Sequence, residues 1–133
     1  MATIKSYTSI EQSRKLAEIL PLESADMAYW KKSYRPNDYA IMAHHTKELQ
    51  EGFKAKGMEY TPCWSLTALL GVLPDTINGI EGYCRLTIDK EGDAYNISYD
   101  DILSEESIIL FAEYSLIDGC YEMILKLHEL KLL

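Results

Sequence analysis

The chain has 133 residues, 47% of them hydrophobic and 26% charged, and its formal net charge is −8. That length predicts a single domain, residues 1–133, large enough to bury a core. The acidic balance argues against a plain nucleic-acid binder and against docking on an anionic membrane, since both need clustered cations, and no apolar run approaches the roughly 18 residues of a membrane-spanning helix.

The N-terminal stretch MATIKSYTSIEQSRK lacks the apolar segment of a secretory signal. Thr8/Glu11 and Ser9/Gln12 both have capping-box spacing, which predicts a helix start there. Ile10, Leu16, Ala17, Ile19 and Leu20 form its apolar stripe, and Pro21 stops it. Met27, Tyr29 and Lys31 alternate with Ala28 and Trp30, the pattern of a short strand. Arg35-Pro36-Asn37-Asp38 reads as a turn, with Asn37 or Asp38 capping a helix over residues 39–55. Met42, Leu49 and Phe53 would give that helix a thin apolar stripe, and Gly57 would end it. Ser65 is a natural N-cap for a short helix that stops at Pro74.

Two period-2 runs flank a Gly-bearing turn at residues 90–93 and predict a hairpin over about residues 83–99. A lone hairpin is marginal in water. Residues 107–111 or residues 27–31 are the candidate third strand. An exposed edge on such a strand is also a place where two subunits could pair. Leu116, Ile117, Cys120, Met123, Ile124, Leu127 and Leu130 recur at helical spacing, which predicts a helix from about residue 115 to 131 lying on the hairpin's apolar face. The expected fold is α+β: a small antiparallel sheet against three or four helices, including the long C-terminal one.

Charge is unevenly placed. Residues 1–60 carry nine Lys/Arg and eight Asp/Glu, whereas residues 61–133 carry four and thirteen. Seven acids fall between Asp89 and Glu106. They read as a solvated rim or as an acidic face for a basic partner.

No chemical motif stands out. Cys63, Cys84 and Cys120 are far apart and odd in number, so neither a zinc knuckle nor a redox pair is indicated, and a reducing, cytoplasmic compartment is expected. Cys63, beside Pro62 and Trp64, is the thiol expected to be most accessible. His44-His45 lacks the H-E-x-x-H arrangement of a zinc protease. Asp89-Lys90-Glu91-Gly92-Asp93 has its glycine at the wrong position for a calcium loop. The expectation is therefore no catalytic residue, no metal and no cofactor. The one suggestive cluster is Tyr29, Trp30, Tyr34, Arg35 and Tyr39, interleaved with Lys31 and Lys32. It reads as an irregular segment pinned to the core by its rings, or, since rings beside cations suit them, as a protein interface or a stacking platform for a nucleotide or single strand.

Three segments carry a resemblance: residues 13–27, residues 62–74 with Pro62-Cys63-Trp64-Ser65-Leu66, and residues 116–124 running on through the final helix. Together they resemble a family of small proteins from gut anaerobic bacteria and their phages or mobile elements. Its motifs carry no assigned chemistry. Gly119 stands where that pattern has Ala. The resemblance implies an accessory role with another protein as partner. The other readings are a small enzyme with an unrecognised Cys/His site, and nucleic-acid binding through residues 29–39.

Overall fold

The computed structural model describes residues 5–31, 38–78 and 82–133. It is an α+β fold with four α-helices and two antiparallel sheets among the described residues. The chain forms two compact units, Ser6–Ala68 and Met1–Lys5 with Leu69–Leu133.

In the first unit, helix α1 spans Ile10–Ile19. Its capping box forms as the spacing predicts: Gln12 N–H donates to Ser9 Oγ at 3.1 Å, and Ser9 N–H donates to Gln12 Oε1 at 3.0 Å. Leu20 is extended before Pro21, which closes the helix. Strand β1, Met27–Lys31, is central in a three-stranded sheet. β2, Tyr39–Met42, pairs on one side, and β3, Tyr60–Cys63, on the other. Pro62 sits on the edge strand, where its missing N–H costs no ladder bond. Helix α2 spans Lys47–Ala55 between β2 and β3.

The expected helix over residues 39–55 is thus a strand followed by a shorter helix. Residues 39–42 pair with β1 in register Trp30↔Ala40 and Ala28↔Met42, and the long-range ladder outweighs the weak helical stripe. The cap is Thr46, whose Oγ1 accepts from Leu49 N–H at 3.1 Å, not Asn37 or Asp38. α2 buries no residue completely, as its thin stripe implied. It ends in a Schellman motif: Gly57 has φ 70°, Gly57 N–H donates to Lys54 O, and Met58 N–H donates to Phe53 O. Helix α3, Leu66–Val72, starts at Ser65, whose Oγ accepts from Ala68 N–H at 3.2 Å.

In the second unit the sheet order is β4-β5-β6-β7, all antiparallel. These strands are Thr76–Asn78, Tyr83–Glu91, Ala94–Asp101 and Ser107–Glu113. The predicted hairpin is β5–β6. Gly92, with φ 62°, opens its two-residue loop, as a type II′ turn requires. The third strand is β7. Residues 27–31 belong to the other sheet.

Helix α4, Leu116–Glu129, packs on β6 and β7. Ile117, Cys120, Met123, Ile124 and Leu127 are buried along its inner face. Leu130, expected on that stripe, is instead partly exposed beyond the last helical turn. A Cβ on Gly119 would lie 3.1 Å from Ile97 Cγ2, so the glycine lets α4 approach β6 closely. α4 ends in a second Schellman motif, with Lys131 at φ 60°. Lys131 N–H donates to His128 O, and Leu132 N–H donates to Leu127 O.

Candidate functional site

The aromatic cluster is divided by the pleat of β1. Neighbouring residues of a strand point to opposite faces, so Tyr29 and Trp30 part company. Tyr29 meets Tyr7 and Tyr39 edge-to-face, with ring centroids 6.2 and 6.4 Å away. Its hydroxyl donates to Thr8 O at 2.7 Å, and burial pushes its pKa well above the usual tyrosine range. Tyr39 lies in an exposed network. Arg14 Nη2 donates to the Tyr39 hydroxyl at 2.7 Å, and that hydroxyl donates to Glu59 at 2.8 Å, which raises its pKa. The Arg14 guanidinium also stands 5.7 Å from the centre of the Tyr39 ring.

Trp30 joins a different group on the opposite face. Its ring centroid is 5.5 Å from Phe53, which is 5.4 Å from Tyr60, which is 5.6 Å from His45. The structure therefore brings Tyr29 and Tyr39 together and separates Trp30 from both. Tyr34 and Arg35 lie outside the described residues.

His44 and His45 sit in the connection before α2, not on a helix, with His44 exposed. His45 Nδ1 is 2.6 Å from the Tyr60 hydroxyl, and burial lowers the His45 pKa. A cleft of about 520 Å³ opens here, lined by Leu22, Glu23, His45, Thr46, Lys47 and Gln50. Its mixed lining, with one carboxylate and one ammonium, defines no single ligand class.

The cysteines are all buried, which corrects the expectation that Cys63 is accessible. Cys63 is 0% exposed. It packs inward against Thr8, whose hydroxyl and carbonyl each lie 3.5 Å from its Sγ. Burial raises the pKa of this thiol, so it is held as the weakly nucleophilic protonated form. Burial pushes Cys120 up to about 12. Among the described residues, no group of three or more His, Cys, Asp or Glu comes together as a metal site.

The same buried neighbourhood explains the quoted sequence motifs. Trp64 is fully buried and donates from Nε1 to Ser24 Oγ at 2.9 Å. Asp26 accepts from Ser65 N–H at 2.9 Å and also from the Ser65 hydroxyl. Thr8 Oγ1 accepts from Trp64 N–H at 3.2 Å and shares a proton with Ser13 Oγ at 2.7 Å. The Leu-Pro-Leu-Glu-Ser run and the Pro-Cys-Trp-Ser run thus interlock. Ser24, Cys63 and Trp64 are committed to the fold.

The second unit has a different surface. The first unit's range holds eight Lys/Arg and eight Asp/Glu, whereas the second's holds five and thirteen, so the whole net charge of −8 resides there. The hairpin acids do not form one face. Asp89, Glu91 and Asp93 lie at the turn end, whereas Asp100 pairs with Arg85 six residues back along β5, about 20 Å away. At that far end Asp101 accepts from the N–H groups of Ser104 and Leu103 at 2.8 and 2.9 Å, which lowers its pKa. Those bonds hold a tight loop that presents Leu103 at 95% exposure beside partly exposed Ile102 and Tyr83. Asp100, Asp101 and Glu105 line a neighbouring cleft of about 310 Å³ with Arg85.

Of the nine large hydrophobic side chains left exposed among the described residues, eight belong to this unit; Ile41 is the exception. Leu103 is inconspicuous in the sequence because it sits inside an acidic run. The pair Ile102-Leu103 between Asp101 and Glu105 was the available signal. No family model, curated protein or solved structure matches the chain.

Proposed function

We propose that this protein is a non-enzymatic accessory module whose second unit binds another protein. The observation that carries this reading is the coincidence, in one unit, of the entire charge excess and, among the described residues, eight of nine exposed large apolar side chains. Folding alone gains little from exposed Leu103, Ile102 and Tyr83, whereas a partner surface gains from burying them. Acids around apolar anchors suit a partner whose apolar pocket is rimmed by Lys or Arg. The sequence resemblance adds a phage or mobile-element setting to the reading.

The enzymatic alternative has less support. A thiol nucleophile needs an adjacent base and a depressed pKa, whereas the partners of Cys63 are Thr8 and Ser13 and its pKa is raised. The nucleic-acid alternative needs a shared aromatic platform, and Tyr29 and Trp30 stand on opposite faces of β1.

A photo-crosslinking amino acid at position 103, with position 15 as the control, tests the proposal in lysate of the source organism. Discrete adducts from position 103 alone are expected. Equal backgrounds from both positions would refute it.

A further inference from the structure

Sheet edges expose unpaired backbone groups, and proteins protect them by brevity, proline, charge or cover. Among the described residues, three of the four sheet edges are protected in that way. β2 has four residues and β4 three. β3 carries Pro62 and is followed by a bridge between Ser65 and Tyr7. β7 is the exception. It is seven residues long, Ser107–Glu113, with five consecutive apolar residues and no Lys, Arg or Pro. No described strand pairs with its outer edge. Leu110, at its centre, is 54% exposed, and Tyr114 just beyond it is 79% exposed.

We propose that β7 pairs antiparallel with β7 of a second copy, about a two-fold axis through Leu110. Register selects this arrangement. Centring on Leu110 sets Ile109 opposite Phe111 and Ile108 opposite Ala112, each pair on one face of the joined sheet. Ile109 and Phe111 oppose Tyr99 and Ile97 of β6, on the side that α4 covers, so the inner apolar face continues across the axis. Glu113 meets Ser107, and Glu106 meets Tyr114, so no carboxylate faces another despite the charge of this unit. Centring on Ile109 instead would set Glu113 against Glu105. Centring on Phe111 would set Glu113 against Ile109. A half-step shift would mix the two faces, because side chains alternate along a strand. The strand is therefore self-complementary in one register, which is the requirement of an isologous dimer.

A single pair of joined strand edges is a small interface, so its association is sought across the micromolar concentration range. The association is separate from the partner contact proposed through Leu103, and either can fail without the other.

The axis position meets its own copy, which gives a charge-reversal test. Sedimentation velocity from about 5 to about 500 µM is expected to show wild-type mass rising from one chain to two. Leu110→Lys and Leu110→Glu should each weaken the dimer at least tenfold by opposing like charges. An equimolar mixture of the two variants should restore it. Hydrogen exchange on the wild type supplies a second readout: alternate amides across residues 108–112 should gain protection with concentration. A wild-type chain that stays monomeric, variants that dimerise like wild type, or β7 amides indifferent to concentration would each overturn the proposal.

Discussion

The two units are held together by different means. The first is built from elements of three to ten residues and closed by polar contacts at depth: Thr8 with Ser13, Cys63 and Trp64, Tyr29 with the Thr8 carbonyl, Trp64 with Ser24. The second relies on a long hairpin, a third strand and a fourteen-residue helix whose inner faces are almost wholly apolar. Short elements bury too little area to fix their own positions, so directional bonds locate them. Long periodic elements need fewer such bonds. The contrast also places the surface chemistry: the unit pinned by its polar groups is neutral outside, whereas the unit with an apolar interior carries the charge and the exposed anchors.

The sharpest way to break this contrast is Trp64→Ala. It removes the largest buried side chain of the first unit together with the Ser24 bond, and should cost about 3–5 kcal/mol in denaturant titrations. Thr8→Val should follow at about 1–3 kcal/mol, because it orphans buried groups while preserving volume. The isosteric change is informative: if apolar packing dominated this unit, it would be nearly neutral.

Alkaline pH probes both units. Burial raises the pKa of the thiols of Cys63 and Cys120 and of the hydroxyls of Tyr29 and Tyr99. Groups whose folded pKa is raised contribute in full below their unfolded pKa, near 8.5 for thiols, and lose that contribution as pH rises through the folded value. Thermal melts should therefore fall progressively above about pH 8.5, over the range leading to 12 for Cys120, and Cys120→Ala should flatten part of that slope. A melting temperature independent of pH up to 11 would contradict the assignment.

In the second unit, Gly119→Ala sets two terms against each other. Helix propensity favours Ala by about 1 kcal/mol, whereas its Cβ would press on Ile97 Cγ2. The change should be close to neutral alone and stabilising by about 1 kcal/mol in an Ile97→Leu background, where that methyl is gone. The smallest effect should be Arg14→Ala, below about 1 kcal/mol, because its contacts with Tyr39 and Glu59 are exposed.

The same contrast governs what could be read from residues alone. The hairpin and α4 were legible because periods of 2 and 3.6 persist over many residues, and Ser9, Gly57 and Ser65 are caps whose chemistry is local. β3 and β4 left no periodic trace at four and three residues. Residues 39–42 were misread because Met42, Leu49 and Phe53 happen to share helical spacing, and only the pairing with β1 overrides it. Part of the candidate site was legible as composition but not as geometry. Tyr29 and Trp30 adjoin in sequence, and a strand turns such neighbours apart. Leu103 was missed because exposure of a single apolar residue depends on the bonds Asp101 makes around it.

The Schellman ends of α2 and α4 are the same device with different residues, Gly57 in one and Lys131 in the other. A lysine with φ near 60° occupies backbone space that a glycine fills at about 1–2 kcal/mol lower cost. Lys131 and Leu132 are consequently not slack. They form a clasp, with Leu132 hooked to the carbonyl of buried Leu127. Cutting the chain after Leu130 would loosen the last turn from its solvent end inward, and replacing Lys131 with glycine would tighten it without touching any neighbour.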